Sequence, residues 1–259
     1  MSLQHRYALV CGASRGIGAA IAKKLAHDGV SVTLLARDLD ALRDIATGLP
    51  SAGEQRHDCL AADLNDTEQL QALVRKKAGE RQFQILVNNS GGPKPGTANE
   101  ADTAAYSAAF RQHLIADQVL MQALLPAMKA AGSGRIINII STSVKEPIAG
   151  LGVSNTIRAA VAGWAKTLAR ELGPHGITVN NVLPGYTATQ RLEQIFRHQA
   201  ERDGRTLDEI IELRRAEVPV GRFAEPEEIA AAVAFLVSPA AAYINGINLP
   251  VDGGRSRSY

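Results

Sequence analysis

The strongest constraint on this chain lies in residues 7–18, YALVCGASRGIG, where a strand, a glycine-rich turn and a helix start follow one another without a gap. Residues 7–11 are a short apolar run with β-branching and no helical period, as in a strand buried on both faces. Residues 19–25, Ala-Ala-Ile-Ala-Lys-Lys-Leu, are good helix formers. Between them, Gly12, Gly16 and Gly18 let a ligand approach the main chain, while the N–H groups and dipole of the helix start point at it. Together these make an anion site suited to a phosphate. A glycine-rich βα turn can also be only a turn, and the spacing G-x-x-x-G-x-G departs from the commonest dinucleotide fingerprint, G-x-G-x-x-G. The downstream chain has to decide.

Strand-like runs at residues 30–36, 57–61, 83–87, 135–140, 177–183 and 247–251 alternate with helix-like segments at 39–49, 67–79, 103–131, 153–172 and 227–237. Regular alternation of this kind implies an α/β fold: a Rossmann-type, doubly wound, seven-stranded parallel sheet with helices on both faces and right-handed crossovers. No linker, repeat or low-complexity break interrupts it, so residues 1–259 are expected to form one dinucleotide-binding domain. With 46% hydrophobic residues the chain can bury a full core, and a net charge of +2 without a long basic run argues against a nucleic-acid partner. Cys11 and Cys59 fall in strand-like runs without metal spacing, as buried thiols of a reducing compartment do, and no metal is expected. The start MSLQHRY has no apolar leader core and no stretch reaches the ~20 apolar residues that span a bilayer, so a soluble, cytoplasmic protein with no membrane partner is expected.

Ligands of such sheets bind outside the carboxyl ends of the strands. The candidates there are the turn from Gly12 to Gly18 (Ser14, Arg15, Gly16 and Ile17 included), Arg37, Asp63, residues 88–92, Ser141 to Ser143, and residues 184–189. A carboxylate at the end of the second strand would hold a ribose 2′-hydroxyl. Ala36 and Arg37 stand there instead and suit a 2′-phosphate, with Arg15 as a second positive group, so NADP(H) is expected over NAD(H).

Gly12-Ala13-Ser14-Arg15-Gly16-Ile17-Gly18, Asp63-Leu64, Asn88-Asn89-Ser90-Gly91, Pro184-Gly185, Gly221-Arg222-Phe223, Pro226-Glu227-Glu228-Ile229-Ala230 and Asp252-Gly253-Gly254 resemble the short-chain dehydrogenase/reductase family, in order and over nearly the whole chain. The likeness is greatest to 3-oxoacyl-acyl-carrier-protein reductases and related sugar or alcohol dehydrogenases. It implies a nicotinamide cofactor held by Gly12, Ser14, Arg15, Gly16, Ile17, Gly18, Arg37, Asp63, Leu64, Asn89, Ser90, Gly91, Pro184, Gly185, Thr187 and Thr189. It also implies a homotetramer built on the long helices at 103–131 and 153–172, where Ala159, Ala160, Ala162 and Gly163 permit close approach.

The resemblance implies further a serine after the fifth strand, a tyrosine thirteen residues on, a lysine four beyond that, and an asparagine on the preceding long helix. In this chain those positions hold Ser141, Ser154, Arg158 and His113. A serine hydroxyl is a far weaker acid than a phenol and shorter by a ring. Arginine stays protonated and acts as an electrostatic stabiliser, not as a tunable acid. Ser154 and Arg158 still share a helix face. Three sources of the proton stay open: His113, whose imidazole ordinarily titrates near neutrality; Tyr186, for which packing is the preferred reading; and a water held by Ser141 and Ser154.

In the family the segment corresponding to residues 190–220 covers the substrate. Leu192, Ile195 and Phe196 share one helical face, as do Leu207, Ile210 and Ile211, so a helical lid with an apolar underside is expected. Its arginines (191, 197, 202, 205, 214 and 215) read as a solvated face laced with Glu193, Glu201 and Asp203, or else as a surface for an acidic carrier protein. The expected function is NADP(H)-dependent reduction of a carbonyl in a small or carrier-bound substrate. The alternatives are a sugar or alcohol dehydrogenase and a dinucleotide-binding sensor or scaffold without turnover.

Overall fold

In the computed structural model, which describes residues 3–51 and 53–258, the apolar runs form seven strands: β1 (Tyr7–Cys11), β2 (Ser31–Ala36), β3 (Asp58–Ala61), β4 (Phe83–Asn88), β5 (Gly134–Ile139), β6 (Ile177–Pro184) and β7 (Asn248–Val251). All neighbours pair in parallel. Their order is β3-β2-β1-β4-β5-β6-β7, and the direction of winding reverses between β1 and β4. A crevice opens at that reversal, above the carboxyl ends of the strands. The leader-free reading of the start falls partly on residues 1–2, outside those described.

The strands alternate which face each side chain enters. Ala8 and Val10 join Val32, Leu34, Ile137 and Val182 in one core, closed by Ile21 and Leu25 of α1 (Gly16–His27), Leu42 of α2 (Leu39–Thr47) and Ile229 and Val233 of α9 (Pro226–Val237). Leu9 and Cys11 face the other way with Leu35, Leu86, Ile136 and Val179. There they meet Leu70 and Val74 of α3 (Thr67–Glu80), Leu120 and Leu124 of α5 (Ala116–Ala130) and Leu168 of α6 (Gly152–Leu172). This period-two division is what a sheet covered on both faces requires.

A ladder of asparagines fixes the register of the second half. Asn88 donates to Asn138 at 2.8 Å, Asn138 to Asn181 at 2.8 Å, and Asn181 to Asn248 at 2.7 Å, crossing four strands at one level. Three of these amides, those of Asn88, Asn138 and Asn181, are buried, and a slip of register would break the bonds that join them.

One expectation needs correction in detail. Residues 103–131 are not one uninterrupted α-helix but α4 (Thr103–Phe110), a π-helical turn (Arg111–Ile115) and α5. The Ala116 N–H reaches Arg111 O, five residues back. The extra residue shifts the helical phase, so His113 is buried (1% exposed) while Phe110 and Ile115 stay exposed.

Past β6, α7 (Gln190–Asp203) and α8 (Leu207–Ala216) pack against each other. The apolar faces read from the sequence join one cluster of Phe196, Ala200 and Ile210, with Leu192, Ile195, Leu207, Ile211, Tyr186 and Phe223 around it. Among the described residues no helix is long and apolar enough to cross a membrane, and no group of three His, Cys, Asp or Glu could hold a metal ion.

Candidate active site

The glycine turn is shaped by the main chain. Gly12 (φ +59°) and Gly16 (φ +53°) occupy the left-handed region. A Cβ on Gly18 would sit 2.1 Å from Gly12 O, so only hydrogen lets the turn fold back on itself. The Asn89 Nδ2 donates to Cys11 O at 3.2 Å and Gly12 O at 3.4 Å, tying the end of β4 to the turn. The start of α1 is left open. Asp38, Asp66, Asp102, Thr189 and Thr206 cap α2, α3, α4, α7 and α8 with their side chains, whereas Arg15, ahead of α1, offers no side-chain cap. Uncapped N–H groups at an accessible helix start are what a phosphate needs.

From this turn a cleft of about 860 Å³ runs across the strand ends, large enough for a cofactor. Among the cofactor candidates, Gly12, Ser14, Arg15, Gly16, Ile17, Arg37, Asp63, Leu64, Asn89, Ser90, Gly91, Pro184, Gly185, Thr187 and Thr189 all line it, as do Ser141, Ser154 and Arg158. Gly18 lies one layer beneath the turn, and His113 does not line the cleft.

At the β2 end, Arg37 is exposed and pairs with no acidic group among the described residues. The neighbouring Asp38 also lines the cleft, but one of its oxygens accepts the Asp40 and Ala41 N–H groups at 3.1 Å each. Asp63 accepts from Asn65 N at 2.9 Å, which fixes its loop at the end of β3. Arg15 reaches over the cleft to Gln190 Oε1 at 3.0 Å.

At the β5 end, Ser141 caps the turn that follows the strand, its Oγ accepting the Ser143 N–H at 3.0 Å. Ser154 and Arg158 stand one turn apart on α6. Arg158 is 8% exposed and donates from Nη1 to Ile139 O at 3.1 Å. Burial lowers its guanidinium to about 10, with Asp117 pulling upward and Arg191 pushing further down; it stays charged at neutral pH. His113 lies behind Ser90, its Nδ1 2.5 Å from Ser90 Oγ, and its Nε2 is buried without a partner. Burial, reinforced by the charge of Arg158, holds this imidazole at about 2. Burial thus weighs against the expectation of a group titrating near neutrality, and His113 is set back from the cleft.

Two residues here were not singled out from the sequence. Asp117, on the first turn of α5, is buried, and desolvation raises its carboxyl well above the usual range against the pull of Arg158. Arg191, on the first turn of α7, crosses the cleft to donate to Pro93 O at 2.6 Å. Four of the other lid arginines lie in a charge-laced face, while Arg205 forms no ion pair among the described residues. Arg197 pairs with Glu193, Arg202 with Asp203, Arg214 with Glu217 and Arg215 with Glu212; Glu201 takes no part among the described ion pairs.

A second cavity of about 350 Å³ adjoins the cleft, sharing Ser141, Leu151, Pro184, Gly185, Leu192 and Ile195. Tyr186 forms part of its wall and is held in packing: edge-on to Phe196 and Phe223, beneath Arg255, and donating to Glu217 at 3.0 Å. A dinucleotide fits the cleft by the open start of α1 and the left-handed glycines, and the second cavity is placed to receive the molecule it reacts with.

Comparison with known proteins agrees with this geometry. Residues 12–256 match the family described as Enoyl-(Acyl carrier protein) reductase. The chain is 32% identical to the NADPH-dependent reductase BacG of Bacillus subtilis over 258 residues, covering 99% of this chain and all (100%) of that one. It is 35% identical to the 3-oxoacyl-acyl-carrier-protein reductase FabG of Vibrio cholerae over 255 residues, 98% of either chain. The crystal structure of L-sorbose reductase from Gluconobacter frateurii, complexed with NADPH and L-sorbose, superposes with a TM-score of 0.92 at 31% identity, covering 100% of this chain and 99% of that one. With its sheet order, its glycine turn and these relatives, the chain belongs to the short-chain dehydrogenase/reductase family.

Proposed function

We propose that this protein is an NADP(H)-dependent oxidoreductase that reduces a carbonyl substrate, in the manner of the 3-oxoacyl-acyl-carrier-protein reductases it is related to. The observation that carries the reading is the single cleft joining the arginines of the β2 end to Ser141 and Arg158. A bound reduced nicotinamide would supply the hydride. The relatives' NADPH dependence supports the cofactor choice. Arg37, exposed and without an acidic partner, is the residue we assign to the 2′-phosphate, with Arg15 beside it.

At the reaction end, Ser141 and the donors of Arg158 not engaged by Ile139 O would polarise the carbonyl oxygen and stabilise the charge that grows on it. Neither has to lose a proton for this. The proton would then reach the product through water held by the Ser141 and Ser154 hydroxyls, because His113 is neutral and Tyr186 is committed to packing. Ser154 and Arg158 therefore stand as an altered form of the tyrosine–lysine pair, with His113 in the asparagine position acting on Ser90. The pair α7 and α8 would serve as the lid, strapped across the cleft through Arg15–Gln190 and Arg191–Pro93. We further assign the protein to the cytoplasm as a homotetramer; exposed Phe110 and Ile115, beside the long helices, are the kind of apolar surface a second copy would cover.

A second reading, dinucleotide binding without turnover, is favoured by one observation: neither Ser154 nor Arg158 is an acid that titrates near neutral pH. Titration with NADPH and NADH, followed by consumption of NADPH with ketones, sugars and acyl thioesters, tests both. Binding with no turnover, together with activity created by the double substitution Ser154→Tyr and Arg158→Lys, would establish the second reading.

A further inference from the structure

Two guanidinium groups, those of Arg158 and Arg191, line the reaction end of the cleft, and no carboxylate among the described residues lines that end with them. Arg158 makes one hydrogen bond inside the protein, to Ile139 O, and lines the cleft. Arg191 is half-buried, lines the same cleft, and is anchored only to Pro93 O. It forms no ion pair among the described residues, although four other arginines of α7 and α8 each have an acidic partner. The two are close enough for the charge of Arg191 to lower the pKa of Arg158.

The acidic residues that line the cleft, Asp38 and Asp63, lie at its other end, and none lines the adjoining cavity. Asp117 faces Arg158 from the protein side, but burial favours its neutral form. Like charges brought together out of water are unfavourable unless an anion neutralises them, and the planar fork of arginine matches a carboxylate. The adjoining cavity has an apolar wall of Leu192, Ile195, Phe196 and Tyr186 for the body of such a molecule, and the arginines that also line it, 202, 214 and 255, are each paired with an acidic residue.

We infer that the substrate is a ketone or aldehyde that also carries a carboxylate, with Arg191 holding the carboxylate while the carbonyl oxygen faces Ser141 and Arg158. This rests on the reductase reading above. Arg191 is then a specificity-determining residue at the start of α7.

The test is binding to the NADP+-loaded protein by calorimetry, where no hydride can move. The probes are 2-oxo and 3-oxo acids, benzoylformate and acetoacetate among them, each paired with its methyl ester. The acid that binds best is expected to bind about ten- to a hundredfold more tightly than its ester, as a charge-assisted contact implies. Arg191→Met should reduce that preference to about twofold or less, Arg191→Lys, which keeps the charge but not the fork, should retain only part of it, and the NADP+ affinity of both variants should stay within about twofold of the natural protein. Thermal melting establishes that the variants are folded. No preference for any acid over its ester overturns the inference while leaving the reductase reading intact. NADP+ binding weakened in parallel by Arg191→Met also overturns it, assigning the residue to the cofactor's own phosphates. Failure of NADP+ to bind at all overturns the reductase reading itself.

Discussion

At the β1–β2 end of the cleft the shape is carried largely by the main chain, through left-handed glycines and an uncapped helix start, with the Asn89 side-chain amide tying strand to turn. At the β5–α6 end it is carried by side chains whose properties depend on burial: a charged but desolvated Arg158, a neutral His113 and an Asp117 held toward its neutral form. The first kind of site tolerates little change because a Cβ in the wrong place meets backbone. The second can exchange residue types while keeping its polarity. On the function proposed above, that is how a cofactor end can persist beside a reaction end built on Ser141, Ser154 and Arg158.

The sharpest break in this comparison is expected at Arg158. Arg158→Met should lower turnover by about 10²–10³-fold, as loss of a charge-stabilising donor does in other enzymes, with Ser141→Ala close behind. Ser154→Ala should cost less than about tenfold, the range of a neutral hydrogen bond. Steady-state kinetics of the three variants checks this, and Ser154→Ala as the most damaging would show that the serine has taken over the tyrosine's role.

At the other end, Arg37→Ala should erase most of the preference for NADPH over NADH, about ten- to a hundredfold, with NADH affinity unchanged. Fluorescence titration reads both constants; equal affinities in the natural protein would contradict the assignment. Gly18→Ala asks whether the glycine turn is as intolerant as its geometry implies. With Gly12 O only 2.1 Å from the new Cβ, we expect a loss of about 1–3 kcal/mol in urea unfolding together with weaker NADPH binding. Unchanged stability would mean that the turn can open at little cost.

Most of the framework was legible before the structure. Apolar runs bounded by turns gave the strands and a doubly wound parallel sheet, and the glycines marked the turn where left-handed φ and close approach leave few other choices. The faces of α7 and α8 were legible for the same reason: helical period is local. The rest was hidden because it is not local. The π-turn that buries His113 shifts the helix by one residue, and nothing in Arg-Gln-His-Leu-Ile announces it. Arg191 reads as one more surface arginine until α7 is laid across Pro93. The downward shift of His113 and the upward shift of Asp117 arise from burial in the folded molecule, so no single segment encodes them.

A smaller effect concerns stability and pH. Because burial depresses the folded pKa of His113 from 6.5 to about 2, the unfolded chain binds a proton below pH 6.5 that the folded chain does not. Stability from this residue is therefore present above pH 6.5 and lost as pH falls toward 2, by about 1.4 kcal/mol per pH unit. Between pH 7 and 5.5, urea unfolding should show a loss of stability about 1 kcal/mol smaller for His113→Asn than for the natural protein. Identical slopes would mean that His113 is protonated in the fold.

The central claim is that the reaction end works by fixed charge and contains no histidine that titrates near neutrality. Its most direct test is the titration of the six histidines by NMR of the labelled, folded protein, with the His113 resonance assigned from its loss in His113→Asn. The account predicts that this imidazole stays neutral, its shift constant from pH 5 to 8.5, because its pKa lies at about 2. A titration midpoint between about pH 5.5 and 7.5 would contradict it and return His113 to the role of proton donor.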